Sequence, residues 1–217
     1  VVDEWVDSLQ VFCADIGSIP NERFAWARRH PGDLGEEVHV PTSIESLTAA
    51  VASHLECEQP VALGFEMPLF LPVPHDSALL GKARPIDKGA PAWSSSTGAS
   101  AMATGIVQAA WVLQALHGRV PDIPVFVQWE PFSAERTGLL VWEAFVTRDA
   151  KGGTHEEDAV IGVNAFCDQL PTPGDPEARE VEGPLSLAAA LAMWAGWELS
   201  YDELRQAGVV VRAQPPA

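Results

Sequence analysis

Val11-Phe12-Cys13-Ala14-Asp15-Ile16-Gly17-Ser18 reads as a buried strand running into a turn. Four apolar residues in a row, bounded by turn-formers, suit a strand covered on both faces. Asp15 closes the run. A carboxylate there is either a turn residue or a rigidly held ligand. The pattern recurs at Val61-Ala62-Leu63-Gly64-Phe65, which Glu66 closes. Further on, His155 and Asp158 stand three residues apart at the start of an apolar helical stretch, on roughly one face. Two carboxylates at strand ends and a His/Asp pair on a helix can converge on one divalent cation.

Outward from these residues, strands are predicted at about 9–18, 24–27 and 37–40. Pro41-Thr42-Ser43 then offers an N-cap, and Ile44, Leu47, Val51 and Leu55 follow at helical spacing, so a helix is predicted over about 43–56. After the 61–66 strand comes a long irregular segment, 67–96, with Pro68, Pro72, Pro74, Pro85 and Pro91. Loops of this length inside a domain are usually functional or mobile. Ser94 to Thr97 either caps the next helix or cradles a phosphate on backbone N–H groups. That helix presents Ile106, Ala110, Leu113 and His117 on one face, with Val107 and Trp111 beside them. Strands follow at 125–129 and 138–145, then a helix at 155–169 and a Pro-, Gly- and Glu-rich loop at 171–184. A Trp-rich helix at 185–197 and a strand at 209–212 complete the pattern.

Three early strands argue for an antiparallel start, and the later alternation argues for parallel strands with crossovers. The expected fold is therefore α/β, a mixed sheet flanked by helices on both faces. One domain is expected over 1–217, with the Pro-rich loop at 67–96 and a helical extension from about 184. The chain has 217 residues, 47% hydrophobic and 20% charged, a globular balance. No apolar run looks long and uninterrupted enough to span a bilayer, so no membrane partner is expected. No basic-then-apolar leader opens these residues. Cys13, Cys57 and Cys167 form no CxxC pair, which favours buried free thiols in a reducing compartment, the cytoplasm. The net charge of −17 is unusual for a polyanion binder. Either nucleic acid is not the ligand, or a local basic strip, a protein partner or a second copy of the chain supplies positive surface.

The strand and helix order, with Asp15, Glu66, His155 and Asp158 in it, resembles the ribonuclease H-like fold, and its RuvC-type branch most. The phrases ADIGS (14–18), GFEMPLFLP (64–72), LLVWEAF (139–145) and THEEDAVIGVNAF (154–166) are similar to a bacterial family of predicted ribonuclease H-like nucleases. The resemblance spans roughly 9–170 and implies Mg²⁺- or Mn²⁺-dependent cleavage of DNA or RNA. It carries Asp15, Glu66 and Asp158 as metal ligands and His155 as auxiliary ligand or base. The Pro-rich insertion and the negative charge depart from its pattern.

Phosphodiester hydrolysis needs charge neutralised on the phosphate, an activated water and a stabilised leaving oxygen, which hard cations about 3.5–4 Å apart supply. Mg²⁺ takes one or two carboxylates plus waters and phosphate oxygens. Lys82, Arg84 and Lys151 are candidate phosphate contacts, and Trp93 a candidate base-stacking residue. Glu143, inside an apolar strand, is a fourth carboxylate or the partner of an arginine. Gly162 would let the His155/Asp158 helix lie close to the sheet. Two rival functions fit the same pattern: a non-catalytic interaction module, and an actin-like nucleotide-binding phosphotransferase. The second would need glycine-rich phosphate loops, for which DIGS (15–18) is a weak match.

Overall fold

The computed structural model of the protein describes residues 5–32 and 42–215. The main sheet holds β1 (Gln10–Asp15), β2 (Ala25–Arg29), β3 (Val61–Phe65), β5 (Val125–Phe126), β6 (Leu139–Phe145) and β8 (Val209–Arg212). β4 (Phe70–Pro72) and β7 (Pro184–Ser186) pair with each other. The helices are α1 (Ile44–Glu56), α2 (Ser96–His117), α3 (Trp129–Glu135), α4 (His155–Asp168) and α5 (Leu187–Ala195).

Strand order is β2-β1-β3-β6-β5, with β8 also on β6. β2 runs antiparallel to β1, and β3, β6, β5 and β8 add in parallel. β5 lies along the start of β6 and β8 along its end, so the two share one edge. This is the expected mixed α/β sheet, antiparallel first and then parallel, and it is consistent with a ribonuclease H-like arrangement. The strand read at 37–40 lies outside the described residues.

Alternation along the strands divides the core in two. Phe12, Ala14, Leu63, Phe65 and Val141 face the side built by α1, α2 and α5. Val11, Cys13, Ala62, Trp142 and Ala144 face α3 and α4. Gly162 permits the close approach of α4: a Cβ there would stand 2.4 Å from Cys13 Sγ.

Several local readings need amendment. Trp129 does not extend β5 but opens α3, whose Pro131 sits in the first turn, where a missing N–H costs no helical bond. The 67–96 and 171–184 stretches are not wholly irregular, because β4 and β7 pair across them. The buried side of α2 is Gly105, Gln108, Ala109, Val112, Leu113 and Leu116, while Val107 and Trp111 are exposed. Polar Gln108 lies on that side because its Nε2 donates to Gly17 O at 2.6 Å. α2 also has the length and composition of a bilayer span, contrary to the reading of the sequence, although here it packs on α5 and α1.

Candidate metal centre

Ala14 of β1 is paired with Phe65 of β3, and Glu66 N donates to Ala14 O at 2.9 Å. Asp15 and Glu66 are therefore neighbours at the carboxyl ends of two parallel strands, where ligands gather in open α/β sheets. Period two turns both toward α4, with Cys13 and Ala62. The turn after Asp15 is tight: a Cβ on Gly17 would fall 1.5 Å from Arg23 O. Opposite, Thr154 caps α4 by accepting from Glu157 N at 3.2 Å, and Asp158 lies buried in the first turn.

Ligand atoms of Asp15, Glu66 and Asp158 all lie within 4.8 Å of one another. His155 Nδ1–H donates to Asp15 Oδ2, which leaves Nε2 of a neutral ring as an acceptor. Lys151 Nζ stands 2.8 Å from Asp158 Oδ2 and 3.2 Å from Glu66 Oε1. Gly152 N donates to Asp158 Oδ1 at 2.7 Å. Glu66 Oε2 is buried with no hydrogen-bond partner.

Two charged carboxylates this close cost roughly 4 kcal/mol at an effective dielectric near 20. Burial raises Asp15 from 3.8 to about 6, and Glu66 and Lys151 pull it back only in part. Burial first, then the Asp15 charge, raises Glu66 well above the usual carboxylate range. The carboxylates in turn raise Lys151 against the opposing effect of burial. An ammonium thus lies among the acids, and one buried oxygen has no donor. An all-oxygen donor set of this kind fits a hard divalent cation, with Asp15, Glu66 and Asp158 to hold it.

The other singled-out residues separate. Glu143 belongs with Val141 on the opposite side of the sheet, so it is not a fourth ligand. It pairs with Arg84: Nη1 and Nη2 donate to its two oxygens at 2.8 and 2.7 Å. Arg84 Nη2 also donates to Asp87 at 2.8 Å, Nη1 to Phe70 O at 3.3 Å, and the guanidinium lies over the Phe70 ring. Its side chain is 0% exposed. The expected phosphate contact is thus turned inward, because a desolvated guanidinium needs carboxylates on every side. Lys82 is exposed. Trp93 Nε1 donates to Lys82 O at 2.9 Å, and Trp93 N to Asp87 at 3.3 Å. Ser95 makes no side-chain cap on α2, so the capping reading of that run fails there.

A cleft of about 350 Å³ opens beside the acids, and Trp93, Thr97 and Arg148 line it with Asp15 and Glu66. The sequence reading passed over Arg148. Its signal was position, a base three residues beyond the end of a central parallel strand. No known family profile, curated protein or solved structure matches the chain, so the functional reading rests on its own residues.

Proposed function

We propose that the protein is a Mg²⁺- or Mn²⁺-dependent nuclease that hydrolyses phosphodiester bonds. The convergence of Asp15, Glu66 and Asp158 within 4.8 Å, beside His155 and Lys151, carries the reading. A bound cation would neutralise phosphate charge and make a water acidic enough to attack. Asp15 and Glu66 would hold it from rigid strand ends, and Asp158 from α4. Lys151, at the mouth, would be displaced by a bound cation and could then hold a phosphate oxygen. His155, oriented by Asp15, takes the attacking water's proton at Nε2. Arg84 acts indirectly, by anchoring the loop that bears Trp93 and Lys82. The free thiols support a cytoplasmic setting, although of the three expected to be buried only Cys13 is; Cys167 is half-buried and Cys57 exposed.

The test is cleavage of single-stranded, duplex and branched DNA, RNA and hybrid with Mn²⁺. Wild type should cut at least one substrate, His155→Ala should cut it more slowly, and Asp158→Ala not at all. Equal activity in wild type and Asp158→Ala would expose a contaminant and end the assignment.

A second reading, a protein-interaction module on the same fold, draws on the exposed Val107 and Trp111 of α2 and Trp194 of α5, helices that pack together. Absence of Mn²⁺ binding by the wild type would favour it.

A further inference from the structure

The cleft beside the acids bears on what the site accepts. Its volume of about 350 Å³ lies at the small end of ligand pockets. Asp15, Glu66 and His155 line it together with Met67, Pro91 and Trp93, and with Arg148 and the end of β6. The Trp93 wall is fixed in place. Glu143 on the sheet holds Arg84, Arg84 holds Asp87, and Asp87 accepts from Trp93 N. With its Nε1 already bonded to Lys82 O, the Trp93 indole offers the cleft carbon surface. Arg148 is exposed at the rim and makes no ion pair with any described residue. Its φ of +52° is a strained conformation for a non-glycine residue, of the kind held at binding sites. Thr97 and Gly98, in the uncapped first turn of α2, complete the lining.

Charge points the same way. Duplex DNA presents one negative charge per ~1.7 Å of its axis, and this chain carries −17. Of the three bases that line the cleft, carboxylates already engage Arg84 and Lys151. A cation held by Glu66 and Asp158 would release Lys151, so Lys151 and Arg148 are left for the phosphate of one linkage. The apolar wall, these two bases and the nucleotide-sized volume suit one nucleotide unit, not a tract of duplex.

We propose, building on the nuclease reading, that the cleft is a single-nucleotide pocket and that the substrate is the terminal nucleotide of a single strand or short oligonucleotide. Trp93 stacks on the base and Arg148 holds its phosphate. In each cycle a water oxygen bonds to the phosphorus of the terminal linkage. The bond from phosphorus to the adjoining sugar oxygen breaks. That oxygen leaves with a proton as a hydroxyl, and the phosphate remains as a monoester.

Two measurements test this. The first is calorimetric binding of a thymidine dinucleotide in Ca²⁺, without turnover. Wild type should bind it, and Trp93→Ala should weaken binding roughly tenfold, the scale of one lost base–aromatic stack. Trp93→Phe should retain most of the affinity, and Arg148→Ala should weaken binding and flatten its salt dependence. Affinity unchanged in folded Trp93→Ala and Arg148→Ala, or no binding by wild type, overturns the pocket. The second is Mn²⁺-dependent digestion of linear single strands, circular single strands and closed duplex. Linear strands should release mononucleotides and the circles should survive. Cutting of either closed substrate overturns the pocket while leaving the nuclease reading intact. No cleavage of any substrate, with no Mn²⁺ bound, overturns both.

Discussion

Asp15 sets the balance of the site. Buried beside Glu66 and Asp158, it titrates at about 6 instead of 3.8. A folded-state value above the unfolded one means that its share of stability is present below about pH 4 and is lost as pH rises through about 6. The shift is worth about 3 kcal/mol. The metal-free melting temperature should therefore fall between pH 4 and 7, and Asp15→Asn should flatten that fall and raise the melting temperature at pH 7. An identical pH profile in the mutant would contradict the assigned burial. Mn²⁺ binding by Asp15→Asn should be lost in calorimetry. Lys151 works in the opposite sense, because its ammonium lies where a cation would compete. Lys151→Met should tighten Mn²⁺ binding in the same titration while destabilising the metal-free fold. Weaker Mn²⁺ binding would show that Lys151 is no competitor.

Between elements, two contacts hold the site together. The Arg84–Glu143–Asp87 network ties the Pro-rich loop to β6, and removing one partner of a buried ion pair costs about 3–5 kcal/mol. Arg84→Ala should show that loss in urea unfolding. Arg84→Lys should recover little, because an ammonium cannot serve both carboxylates in a fork. Gly162 seats α4, and Gly162→Ala should cost about 1–3 kcal/mol by overpacking against Cys13. Adding Cys13→Ala should relieve part of that cost, and strict additivity of the two changes would argue against the contact. Much of this level was legible in the sequence. Apolar runs ending in Asp15 and Glu66 located the strand ends, and the three-residue spacing located His155 and Asp158 on one helix. Arg84 was misread because a basic residue among prolines looks exposed until Glu143, fifty-nine positions away, is brought beside it. The buried face of α2 was misread because Gln108 faces inward, toward a carbonyl that only the tertiary fold supplies. Arg148 was missed because only its place beyond β6 distinguishes it from any surface base.

At the scale of the molecule, thirty acidic residues face thirteen basic ones. Self-repulsion of that size destabilises the compact state and is screened by salt. Raising NaCl from about 0.05 to 0.5 M should therefore raise the metal-free melting temperature. A flat response would mean that long-range charge is not limiting. A divalent cation should stabilise beyond the effect of matched ionic strength, because it binds a defined cluster in the folded state. The same field opposes a long polyanion, in keeping with the proposed substrate of one or two phosphates. All of this depends on whether the acids hold a cation. Anomalous diffraction from crystals soaked in Mn²⁺ reads that directly. The expected result is a peak bounded by Asp15, Glu66 and Asp158, with the Lys151 ammonium displaced. No peak there at saturating Mn²⁺, with Lys151 still bridging Glu66 and Asp158, would contradict it.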